Sequence, residues 1–125
     1  MQLGLTLIDI ELSMNASALG FNPLYSDDNP SLDEISSLDG YACLEFGAPW
    51  CEHCVAAEPA IEAALSATQI PHIKVYDGKG LPLGRAFKIT LWPTVVLLKD
   101  GKEVARVVRP TIVEQLNKLL ANIAA

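Results

Sequence analysis

A chain of 125 residues, half of them hydrophobic and 19% charged, is long enough for one packed domain and too apolar for intrinsic disorder. Its formal net charge of −6 offers no counter-charge to nucleic acid or an anionic membrane, and it contains no run of 18 apolar residues that would read as a membrane span. Three cysteines are too few, and odd in number, for a disulfide-stapled secreted scaffold.

Charge is divided along the chain. No Lys or Arg precedes Lys74, whereas eleven acidic residues do, so the halves are expected to interleave and neutralise each other in the fold. Residues 1–22 read as an N-terminal extension (arm, added edge strand or tail) ahead of a domain at 23–125. Within it, 3–12 has strand character and 13–22 reads as a small-residue linker. Asp9 and Glu11 interrupt its apolar stretch and no basic n-region is present, so it fails as a secretory signal. A cytoplasmic protein is expected, or a periplasmic one only if a leader has been removed.

Beyond Pro23 the elements alternate. Pro30 and Ser31-x-x-Glu34 carry the signals of a helix start, and Asp39-Gly40 ends that short helix. Residues 41–47 form an apolar strand, and a helix follows from Cys51 or Glu52 to about Ala67, with Pro59 expected to kink it. A strand at 72–76, a turn at 77–80 and a short helix at 83–87 come next. The β-branched run 94–98 predicts a central strand, Asp100-Gly101 a hairpin turn, and 103–108 the returning strand. Ile112, Leu116, Leu119, Leu120 and Ile123 recur at helical spacing and predict a C-terminal amphipathic helix. This order belongs to the α/β class, a central mixed sheet with helices on both faces.

The chemistry concentrates in Trp50-Cys51-Glu52-His53-Cys54, between a strand and a helix. Two cysteines three positions apart can close a disulfide, hold a metal, or cycle between dithiol and disulfide. An unperturbed thiol, with a pKa of about 8.5, is mostly protonated at neutral pH, and a helix N-terminus stabilises the thiolate. Cys51 at the junction is therefore the candidate attacker, and Cys54 one turn on is placed to resolve a mixed disulfide. Zinc needs four ligands, and Cys43 and two scattered histidines do not readily complete a set, so no metal is expected. Cys43 alternates with Glu45 and should share its inner face as an inert core thiol. His72, after Pro71 and with no nearby ligand partner, reads as structural or solvated.

The strand–WCxxC–helix context, with Ala48-Pro49 before it, Pro59 in the helix, Trp92-Pro93-Thr94 before the central strand and the Lys99-Asp100-Gly101 hairpin, resembles the thioredoxin superfamily from about Pro23 to Ile123. The match is to a stand-alone, bacterial-type member with a Cys-Glu-His-Cys site. The resemblance implies a thioredoxin fold and a protein-disulfide oxidoreductase that exchanges a Cys51–Cys54 dithiol with client proteins. It also implies a monomer served by a reductase or other redox donor, with no cofactor beyond the redox-active disulfide. Pro93 matches the proline that is cis in the family, packs beside the dithiol and leaves the preceding backbone free for a substrate peptide. Glu45 matches the buried carboxylate under the second cysteine, and burial suits it to take the Cys54 proton, directly or through water. Lys74 matches the lysine paired with that carboxylate.

Several residues depart from the reductant pattern. His53 replaces the proline of Gly-Pro and, as in isomerases and oxidases, would stabilise a Cys51 thiolate; Glu52 opposes it more weakly. A potential less reducing than that of a typical thioredoxin is therefore expected. Trp92 replaces a smaller residue before the proline, and Arg109-Pro110 replaces a small pair lining the substrate groove. Trp50 shields and packs beside Cys51. The alternative is a thioredoxin-fold binding module with a non-essential dithiol.

Overall fold

Two apolar strands with mutually complementary runs, Tyr41–Gly47 (β2) and Thr94–Lys99 (β4), pair antiparallel at the centre of the sheet. The computed structural model describes residues 17–25, 29–78 and 81–123. Around that centre the elements are Ser17–Leu19 (β1), Leu32–Ser36 (α1), Glu52–Leu65 (α2), Pro71–Tyr76 (β3), Pro82–Ala86 (α3), Lys102–Val108 (β5) and Val113–Leu120 (α4). The five strands lie in the order β1-β3-β2-β4-β5, and only β2 and β3 run parallel.

Alternation along β2 divides the core between the two faces of the sheet. Ala42, Leu44 and Phe46 meet Ile35 of α1 and Leu83 of α3, with Phe46 fully buried and tilted against Phe87 at 5.6 Å. Cys43 points the other way, into Ala57, Ile61 and Leu65 of α2 and Leu116 and Leu119 of α4. The parallel register sets Cys43 opposite His72 and Glu45 opposite Lys74. Four chemically active side chains thus lie on the α2 side of the sheet.

Local signals produce the helix and hairpin boundaries. Ser31 Oγ accepts the Glu34 N–H at 3.1 Å, while Glu34 Oε1 accepts the Ser31 N–H at 2.8 Å, closing the expected capping box. Asp100 and Gly101 both take positive φ (52° and 79°), the geometry of a tight hairpin turn. A Cβ at Gly101 would lie 2.5 Å from the Ser36 carbonyl, so only glycine fits there. Gln115 Oε1 accepts the N–H groups of Thr111 and Ile112 and caps α4.

The strand at 3–12 lies outside the described residues, as do Lys79 and Gly80 of the turn. Within the stretch read as a linker, Ser17–Leu19 forms the edge strand of the described sheet and pairs antiparallel with β3. Three residues are too few to show a period in sequence. What fixes them is the Gly20 N–H donating to the Ile70 carbonyl, and Phe21 packing against the α2–α4 core.

Candidate active site

α2 begins where the backbone leaves β2 and turns at Ala48–Trp50. The Cys51 N–H bonds the Ala48 carbonyl at 3.2 Å, and Cys51 takes the N-cap position with extended φ/ψ of −81° and 122°. Its Sγ accepts the Cys54 backbone N–H at 3.3 Å, so a free amide of the first turn points at the sulfur where negative charge develops. Cys51 and Cys54 are 8% and 5% exposed, in a small cluster with Ala48, Tyr76 and Trp92. All three cysteines are free thiols. Glu52 and His53 are exposed on the first turn.

The two sulfurs stand in different surroundings. Burial, then the hydrogen bond shared with Cys51, pushes the Cys54 thiol up to about 12, against the Ala48 backbone and the Tyr25 hydroxyl, which pull it down. Burial and the nearby Glu45 push Cys43 up to about 12 as well. Both remain protonated at pH 7. One equivalent of iodoacetamide at that pH is expected to label Cys51 alone, as peptide mass mapping would read; labelling spread over Cys43 or Cys54 would contradict this electrostatic ordering.

The rim is aromatic. The Trp92–Pro93 peptide bond is cis. Trp92 stacks edge-on against Trp50 (5.5 Å, 70°), and its indole N–H donates to Asp77 Oδ2 at 2.9 Å. Asp77 is buried, which raises its carboxyl above the usual range, and the indole hydrogen bond opposes that shift. Trp50 is 65% exposed and is the most open apolar side chain beside the dithiol. Arg109 adopts φ 50°, donates its N–H to the Pro93 carbonyl and extends Nε to the Trp92 carbonyl, both at 2.8 Å. The small residue usual at this position in the resemblance suits that left-handed backbone; here an arginine occupies it and folds back onto the rim.

Beneath the dithiol the polar groups pair in an unexpected way. Glu45, 2% exposed, is bonded to His72, with Nε2 2.8 Å from Oε1. Lys74, the lysine matched to this carboxylate, lies beside it in register but sends its ammonium to the Pro23 carbonyl (3.2 Å) and to Glu58 (3.9 Å), over the Tyr25 ring at 4.6 Å. Of the two readings of His72, structural or solvated, the structural one holds: it is fully buried and bonded through both ring nitrogens, Nδ1 accepting the Asn22 N–H at 2.8 Å. Its signal in sequence was its place two residues before Lys74, which puts both on one face of β3.

Tyr25 and Gly47 were also not singled out from sequence. The Tyr25 hydroxyl is buried with no nitrogen or oxygen partner among the described residues, and it faces Cys54. Burial, reinforced by Glu45 and Cys54, raises its phenol far above the ordinary range. A Cβ at Gly47 would stand 2.6 Å from Tyr25 Oη and 2.7 Å from Cys54 Sγ, so the missing side chain is what lets these groups converge. A cavity of about 120 Å³ runs from Cys54 past Tyr25 to Lys74 and Glu58, large and polar enough for water.

A helix N-cap thiol, a second thiol buried one turn behind it, a cis-proline loop over the pair and a carboxylate beneath together define a thiol–disulfide exchange centre. Residues 27–122 match the thioredoxin family. Thioredoxin 2 of Pseudomonas aeruginosa PAO1, solved in its reduced form, superposes with a TM-score of 0.70 at 46% identity, covering 77% of this chain and 90% of that one. A thioredoxin of Chlamydia trachomatis serovar D is 33% identical over 93 residues, 71% of this chain and 86% of that protein. A probable protein disulfide-isomerase A4 of Caenorhabditis elegans is 42% identical over 59 residues, 47% of this chain, which spans only 10% of that protein's length. The chain belongs to the thioredoxin family. It has the thioredoxin fold and is a thiol-disulfide oxidoreductase with a CxxC pair. No helix among the described residues is long and apolar enough to cross a membrane.

Proposed function

We propose that the protein exchanges electrons with client-protein disulfides through Cys51 and Cys54, at a potential less reducing than that of a typical thioredoxin. The observation that carries this reading is the asymmetry of the pair: Cys51 receives an amide N–H at a helix start, while burial holds Cys54 protonated. Cys51 attacks a client sulfur and one client thiolate leaves. Cys54 then loses its proton and attacks Cys51 Sγ, the mixed disulfide breaks, and the second client thiolate leaves with the electron pair. Glu45 is the acceptor for the Cys54 proton in this scheme, and the cavity lined by Cys54 and Lys74 gives water access to the thiol.

Exposed His53 and Glu52 tune the potential, the imidazole favouring the Cys51 thiolate and hence the reduced form. Trp50, Trp92, Pro93 and Arg109 form the client-binding rim. Arg109 already occupies the Trp92 carbonyl, so a client strand docks by displacing the guanidinium or by using other groups. A monomer working in the cytoplasm with a separate reductase completes the reading. Its support is the thioredoxin kinship.

Equilibrating the dithiol in glutathione buffers tests the potential. A midpoint less reducing than that of a typical thioredoxin is expected, and His53→Pro should move it toward the more reducing value. A wild-type midpoint as reducing as thioredoxin would remove the tuning role of His53.

A further inference from the structure

We propose that His72 is a positioning residue for proton transfer at the dithiol: it holds Glu45 as the acceptor for the Cys54 proton and ties that carboxyl group to the N-terminal segment. The inference rests on the function proposed above and goes beyond it by assigning a histidine that no part of the CxxC pattern contains.

The geometry fixes the tautomer. A backbone N–H only donates, so the Asn22 N–H at 2.8 Å makes His72 Nδ1 an acceptor. The ring proton therefore sits on Nε2 and is donated to Glu45 Oε1. A second ring proton on Nδ1 would oppose the Asn22 N–H, so the pair is a neutral imidazole and a carboxyl group. Asn22 Nδ2 also donates to the His72 carbonyl at 3.3 Å, and the Phe21 ring lies 5.5 Å from the imidazole, so residues 21 and 22 clamp the histidine from the β1 side. With one carboxyl oxygen held by His72, the other is left for the proton.

The groups facing Glu45 come from every neighbouring element. Cys43 lies on its own strand, and His72 and Lys74 on β3. Tyr25 comes from the N-terminal segment and itself meets Cys54 of α2, Glu58 of α2 reaches Lys74, and β4 contributes Val95 in register, which carries no charge. Lys74, the cation of this set, is drawn away by Pro23 and Glu58. The donor held against Glu45 is thus an uncharged N–H whose direction is set by the Asn22 backbone. In the resolving step the Cys54 S–H proton passes to the carboxylate, the Cys54 sulfur bonds to Cys51, and the client sulfur leaves with the electron pair of the broken S–S bond.

A donor to a carboxylate favours its charged form, and a hydrogen bond to a charged group is strong enough to move a titration by about one to two pH units. Without the donor, the carboxyl keeps its proton to higher pH and serves as a base only above that point. The acidic limb of the pH–rate profile for insulin disulfide reduction should therefore shift upward by about one unit in His72→Leu, so that rates on the limb itself fall by up to roughly tenfold while the alkaline plateau changes little. His72→Gln, which keeps an N–H donor, should restore most of the shift.

Two measurements on the wild-type and variant proteins decide the matter independently of turnover. Imidazole ¹⁵N NMR of the wild-type protein should show the Nε2–H tautomer, with its Nε2 signal moving in step with the Glu45 carboxyl ¹³C signal. The Glu45 carboxyl midpoint should rise in His72→Gln less than in His72→Leu. An Nδ1–H tautomer, a histidine indifferent to Glu45, or folded variants with the wild-type carboxyl midpoint would overturn the role of His72. A wild-type protein that fails to reduce insulin while showing the expected NMR coupling would overturn the proposed function and leave the His72–Glu45 link standing. Should His72→Leu not fold, the wild-type tautomer and the Gln variant carry the test alone.

Discussion

Cys51→Ser is expected to lower insulin disulfide reduction by roughly three orders of magnitude or more while leaving the fold intact. Serine is among the best N-cap residues, and its hydroxyl can accept the Cys54 N–H as the sulfur does, so α2 keeps its start. What is lost is chemical, because a neutral hydroxyl does not attack a disulfide sulfur at neutral pH. Cys54→Ser should behave differently. Cys51 still attacks, but nothing lies behind it to release the client, so mixed disulfides accumulate and are visible on non-reducing gels. Cys43→Ser should retain full turnover, since Cys43 packs inside the α2–α4 core with its thiol pushed up to about 12. Retained activity in Cys51→Ser, or no covalent adduct in Cys54→Ser with insulin in excess, would contradict the assigned roles.

How far the sequence could be read follows from the range of each interaction. The Ser31–Glu34 box, the Asp100-Gly101 turn and the helix opening at the dithiol depend on residues within four positions of one another, and all three appear as expected. The face shared by Cys43 and Glu45 follows from the two-residue period of one strand. The choice of partner for Glu45 does not. Both His72 and Lys74 stand on the correct face of β3, and which one reaches Glu45 depends on the Pro23 carbonyl and the Glu58 carboxylate, which draw the ammonium outward from two other elements. Tyr25 comes from a stretch without periodicity, and its place at Cys54 requires the absent side chain of Gly47. Trp92 was legible as a bulky residue at the rim. Its anchor, Asp77, stood in what read as a turn, and only the folded chain brings the two within 2.9 Å.

Gly84→Ala illustrates the same dependence and should be among the most damaging conservative changes in the chain. Helix propensity alone says the reverse: alanine within α3 should stabilise by about 1 kcal/mol relative to glycine. The space is already taken, however, since a Cβ there would overlap Asp77 Oδ1 and stand 2.7 Å from Asp77 Oδ2. Asp77 is buried beneath the rim and cannot withdraw without giving up the Trp92 indole N–H. Overpacking costs about 1–3 kcal/mol, and a lost hydrogen bond to a charged group about 1.5–3 kcal/mol. These effects are coupled rather than additive, so a net loss of about 2–3 kcal/mol and a Tm lower by roughly 10 °C are expected. Tryptophan fluorescence should change as well, because Trp92 loses its anchor and with it the edge-on contact to Trp50. Asp77→Ala in the Gly84→Ala background removes the overlap but not the loss of the anchor. It should recover part of the Tm while leaving the fluorescence altered and client reduction slower. Unchanged Tm and fluorescence in Gly84→Ala would show that Asp77 moves freely, and the rim would then owe its order to the Arg109 guanidinium on the Trp92 carbonyl.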